Sequence, residues 1–188
     1  MKRTLAVVCL FVCATFAFAQ AQNSVAKTPA AAAPTKDPVA TAARLVLQRF
    51  QNNTIGAMEA MPADKFSYKP TADQSTFAHL AAHIASSNNL FCSKAADVPA
   101  PKVDEPKETD SKDQLVAAVK ASFTFCSDAL GKMDDSKLGD TIELFPGRQL
   151  PRSVAVLAIA ASMSDHYAAA AMYLRLNNIL PPSAQPKK

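Results

Sequence analysis

The sequence has no basic run interleaved with aromatics, although it carries a formal charge of +4 over 188 residues. That absence removes the electrostatic footprint nucleic-acid binding requires. It also has no Cys-x-x-Cys pair and no cysteine–histidine cluster, so the cysteines give no reason to expect a metal. Strand-like alternation is nearly missing. Only short stretches such as Thr141-Ile142-Glu143-Leu144 show it, which allows at most a ribbon on a loop. Beyond the N-terminal segment, nothing reads as long and apolar enough to span a bilayer, which takes about twenty residues.

What is present starts with that segment. Lys2 and Arg3 precede a run of about fifteen apolar and small residues, then Ala17-Phe18-Ala19, a small-x-small cleavage signature. Residues 1–19 are therefore expected to be a signal peptide, cut after Ala19 or, as second choice, after Ala21. Cys9 and Cys13 would leave with it. Val12 before Cys13 argues against a lipid-anchored cysteine. The mature chain is expected to be exported, periplasmic or secreted, without a membrane anchor. Losing Lys2 and Arg3 takes the charge from +4 to +2 (4 − 2). Residues 20–36 are Ala, Pro, Gln and Lys without apolar period, a flexible, disordered linker. Residues 37–183 suit one domain, and 184–188 a disordered tail.

Within that domain the pattern predicts four helices. Asp37-Pro38 offers an N-cap and a first-turn proline, and Ala43, Val46, Phe50, Ala57 and Met61 make one stripe ending at Pro62. A second helix is predicted over about 75–96, with Leu80, His83, Ser87 and Leu90 on one face. Ser111-x-x-Gln114 is a capping box for a third, with Leu115, Val119, Ser122, Cys126 and Leu130 inward. The fourth, over 151–178, has no glycine, and its only proline is its first residue; one of its faces carries Ser162, His166, Ala169 and Tyr173. Asn177-Asn178 and Pro181-Pro182 stop it. The fold class expected is all-α, a four-helix bundle.

Two cysteines remain after export, Cys92 and Cys126. A disulfide between them would close a loop of about 35 residues and stabilise by about 3–4 kcal/mol. The alternative is two buried thiols. Of the three histidines, His79 and His83 have the four-residue spacing at which two imidazoles can chelate from one helix face, and His166 lies on the fourth helix. Each is equally a candidate core or rim residue. Ser162 beside His166 does not suggest a nucleophile, because mid-helix N–H groups are committed and supply no oxyanion hole.

Met61-Pro62-Ala63-Asp64-Lys65-Phe66-Ser67-Tyr68-Lys69-Pro70, then Phe77 to Ala85 with His83-Ile84-Ala85, and finally Asp165-His166-Tyr167 through Tyr173-Leu174-Arg175 to Pro181-Pro182 occur in fixed order. In these stretches the chain resembles the DinB/YfiT-like family of four-helix bundles. The resemblance implies a divalent-metal site, zinc or nickel, of one histidine from the second helix and two from the fourth. Several members of that family activate a thiol there, and members often form dimers, so a homodimer is a candidate state. Carried across, His83 and His166 match two ligands, while the third position is Ser162. The family's glycine and glutamine after His-Tyr are Ala168 and Ala169 here. His79 could restore a third nitrogen. Two functions follow as expectations. The first is a non-catalytic or stress-related bundle with a degenerate metal site, binding an unknown small molecule. The alternative is a metal-dependent transferase or hydrolase related to thiol S-transferases.

Overall fold

A computed structural model describes residues 34–186. The expected signal peptide and most of the expected linker lie outside them. Among the described residues there are four helices: α1 (Pro38–Ala60), α2 (Phe77–Ala96), α3 (Lys112–Gly131) and α4 (Arg152–Leu176). Between α3 and α4 comes a hairpin of β1 (Thr141–Phe145) and β2 (Arg148–Pro151). Single 3₁₀ turns, Ala63–Lys65 and Pro182–Ala184, follow α1 and α4.

The α1 start departs from the sequence expectation. Asp37 stands at the N-cap position but in the left-handed region (φ 49°, ψ 61°), and its side chain caps nothing there. The free N–H groups of the first turn are met from across the bundle. Val39 N and Ala40 N donate to the two carboxylate oxygens of Asp135, at 2.9 and 2.8 Å. Asp37 Oδ1 accepts in return from Asp135 N at 3.3 Å. The stripe is also rotated slightly from the sequence reading. Leu47 and Met58 are fully inside, whereas Val46 and Phe50 are half-buried.

The other caps follow the local sequence. Thr76 Oγ1 accepts from His79 N at 2.9 Å, and the Ser111/Gln114 box closes reciprocally. At the end of α4, Asn178 turns left-handed (φ 59°). Ile179 N then donates to Leu174 O at 2.9 Å and Asn178 N to Arg175 O at 3.0 Å, a Schellman closure.

Packing places α2 against α3 and α4, and α1 against α4 and α3, so α1 and α2 face each other diagonally. Phe77, Phe123, Ile84, Leu115, Leu130, Ile159 and Leu174 fill the centre. Cys92 and Cys126 form a disulfide between α2 and α3, their Cα atoms 5.2 Å apart. The connection between those helices, residues 97–110, forms a strap, tied at its first residue where Asp97 meets Lys137 at 3.1 Å and Arg152 at 3.4 Å. The hairpin turns at Pro146-Gly147, where Gly147 takes φ +74° and donates its N–H to Glu143 Oε1. It lays Leu144 onto the bundle and Phe145 edge-on to Phe91.

α4 corrects one expectation. It is 25 residues with a window of mean hydropathy 1.3, long and apolar enough by composition to cross a membrane. Its inner residues, among them Ile159, Met163 and Leu174, are buried against α1 and α2, as in the core helix of a bundle.

Candidate functional site

The cap on Thr76 starts α2 so that His79 falls in its first turn and His83 one turn later. On α4, the spacing of Ser162, His166, Ala169 and Tyr173 holds those four on one side of the helix. Because α2 and α4 are neighbours, His83 and His166 meet. Their rings are edge to face, with centroids 4.9 Å apart and planes at 77°.

Each ring nitrogen that has a partner finds a serine. Ser162 Oγ lies 3.3 Å from His166 Nδ1, and Ser87 Oγ 3.3 Å from His83 Nε2. The two pairs mirror one another, with serine one turn before histidine on α4 and one turn after it on α2. His166 is 8% exposed. Burial, with His83 adding and Asp165 opposing, holds its imidazolium pKa below the ordinary value. At neutral pH His166 is therefore an uncharged ring, able to accept at one nitrogen and donate at the other.

His79 lines the same cavity but is engaged elsewhere. Its Nδ1 is 3.3 Å from Glu108 Oε2 on the strap, and its ring lies parallel to His83 with centroids 6.3 Å apart. Tyr173 closes the floor. Its hydroxyl donates to Ser75 O at 2.6 Å, and Tyr68 packs edge-on at 6.2 Å. Burial, helped by Tyr68, raises the phenol pKa above its ordinary value, so it stays a donor.

Leu80, Asp165 and Ala169 complete a cavity of about 310 Å³. This is at the lower end of the range for small-molecule sites. Its wall is mixed: three imidazoles, a phenol and an edge carboxylate beside Leu80 and Ala169.

The residues present do not make a three-nitrogen metal set. Among the described residues, no three of His, Cys, Asp and Glu lie together so as to hold an ion. The third position is the hydroxyl of Ser162, already turned to His166 Nδ1. A neutral hydroxyl is a poor donor for zinc or nickel, which take imidazole, thiolate or carboxylate.

The sequence motifs single out neither Glu108 as the partner of His79 nor Ser87 as the partner of His83. The second was accessible, since Ser87 sits four residues from His83 on the same α2 face. The first depends on where the strap returns, which no local pattern encodes.

The sequence model of the DinB superfamily matches residues 46–170. The crystal structure of a DinB-like protein from Bacillus subtilis is similar at 20% identity and TM-score 0.59, over 76% of this chain and 99% of that one. A DinB-like protein from Bacillus cereus is similar at 17% identity and TM-score 0.59, over 73% of this chain and 93% of that one. Among curated proteins none matches.

Proposed function

This chain belongs to the DinB superfamily, and we propose that it is an exported, non-catalytic member whose histidine cavity binds a small organic molecule instead of a metal ion. The observation that carries this reading is the contact of Ser162 Oγ with His166 Nδ1 at 3.3 Å, in the place where the family resemblance calls for a third imidazole. A neutral imidazole with a hydroxyl on its Nδ1 is a hydrogen-bonding surface. The phenol of Tyr173 and the apolar faces of Leu80 and Ala169 surround it. That combination suits a ligand with a hydrogen-bonding head and a short apolar body. The missing glutamine side chain at Ala169 leaves room for that body.

One observation favours the second reading, a zinc- or nickel-dependent transferase or hydrolase: His83 and His166 do converge, with His79 a turn away. Metal analysis of the mature protein, alongside His83→Ala and His166→Ala, separates the two. The small-molecule reading expects no stoichiometric metal, with imidazole proton resonances of His83 and His166 that move on addition of small alcohols or carboxylic acids. One metal per chain, lost in both variants, overturns it. Replacing Ser162 by histidine is then expected to create zinc affinity where the natural chain has little.

A further inference from the structure

A groove with an apolar wall lies on the opposite side of α2 from the histidines. Ala85 and Asn89 face it. At 100° per residue they stand about 200° and 240° around the helix from His83. The groove, about 620 Å³, runs between α2, α3 and the strap.

Its shape has a sequence cause. α3 presents Ala117, Ala118 and Ala121 to it, small residues that leave a trough, with Phe125 at one end. The strap supplies Pro101, Val103 and Pro106 as the opposite wall, and Val103 stays 64% exposed. Two restraints hold the walls in place. The Cys92–Cys126 disulfide fixes α2 to α3. At the near end of the strap, Asp97 meets Lys137 at 3.1 Å and Arg152 at 3.4 Å. A groove held this way needs little ordering to accept a ligand.

Its charged groups are of one sign, beside the neutral polar side chains of Asn89, Ser122 and Thr124. The lining has the carboxylates of Asp104 and Asp128 and no lysine or arginine. Neither carboxylate is in an ion pair among the described residues. Asn89 Oδ1 is buried in the same wall with no donor. A buried carbonyl oxygen without a partner costs stability unless a donor reaches it, and a turn of the amide towards the groove would allow that. Carboxylates at the rim, an unused acceptor in the wall and an apolar bed together select a cation with N–H donors on an apolar body.

We propose that this groove is a second ligand site, for a small amphiphilic amine, independent of the histidine cavity. The test is calorimetry on the oxidised mature protein. The probe is dodecylammonium, kept below its micelle concentration, with dodecanoate as the anionic counterpart. The expected result is one saturable amine site and binding of dodecanoate at least about tenfold weaker, a difference of roughly 1.4 kcal/mol. Ala121→Phe, on the exposed side of α3, fills the trough and should weaken the amine at least about tenfold; Val103→Ser, on the strap, should weaken it without touching a helix. Asp104→Asn with Asp128→Asn should abolish both the preference for amine and its salt dependence. His83→Ala and His166→Ala should leave the amine isotherm unchanged, so failure here is separable from failure at the histidines. Absence of saturable amine binding, equal binding of dodecanoate, or unchanged affinity in both Ala121→Phe and Val103→Ser overturns the proposal.

Discussion

Replacing Asp135 by alanine tests the account of how α1 is started. The two carboxylate oxygens accept from Val39 N and Ala40 N at 2.9 and 2.8 Å, so the substitution strips both donors at once. Loss of a capping side chain costs about 1 kcal/mol, and loss of a negative charge at a helix N-terminus about 0.3–1 kcal/mol. The sum is about 2 kcal/mol, or about 4–8 °C in melting temperature for a domain of this size. Urea denaturation followed by far-UV circular dichroism gives the free energy directly, provided the slope with denaturant is unchanged. Asp135→Asn keeps one acceptor and should lose roughly half as much. The decisive control is Asp37→Gly, at the residue local sequence names as the cap, because glycine accepts the left-handed backbone there without strain. It should cost under about 0.5 kcal/mol, because the Asp37 side chain accepts only one long hydrogen bond, from Asp135 N. If Asp37→Gly proves the more damaging of the two, or Asp135→Ala stays within about 0.5 kcal/mol of the natural protein, the cross-bundle cap is refuted.

Two further outcomes are expected. Removing the disulfide as Cys92→Ala with Cys126→Ala frees a loop of sequence separation 34, and loop entropy puts the cost at about 3–4 kcal/mol. Chemical denaturation of the double variant that falls within about 1 kcal/mol of the oxidised parent would contradict that estimate. The second concerns acid. His166 has a folded pKa below the ordinary imidazole value because of burial, so the unfolded chain takes up the proton first. The stability tied to it is therefore intact above about pH 6.5 and is lost as the pH falls below that, towards the folded value. Melting temperatures of the natural protein and His166→Gln, compared from about pH 7.5 to 5.5, should converge on acidification; parallel curves would contradict the assignment.

Most of the bundle could be read from the sequence because its helices are bounded by local chemistry. The Ser111/Gln114 box, Pro62 after α1 and Asn178 after α4 act within a few residues of where they stand. The hairpin was visible only as weak alternation at Thr141–Leu144, since its stability comes from Leu144 and Phe145 meeting the bundle. The cap on α1 escapes local patterns for a related reason. A carboxylate 95 residues away can satisfy the same N–H groups as a local one, and no periodicity reports it. At the site, the facing of His83 and His166 followed from helix phase and the family resemblance. The diversion of His79 to Glu108 did not, because the course of the strap is set by Asp97, Arg152 and Lys137, none of them near His79 in sequence. The turn of the α1 stripe from Val46 towards Leu47 reflects a helix packed between two neighbours, which buries a wider arc than one stripe predicts.

The bond between Cys92 and Cys126 encloses the whole of the strap in a covalent ring. Lys102 and Lys107, the tryptic sites of that stretch, both lie inside it. A protease that nicks the peptide bond after either one leaves two fragments still joined, each holding its own helix of the pair. Such a molecule would run as a single species until a reductant is added, and only then come apart.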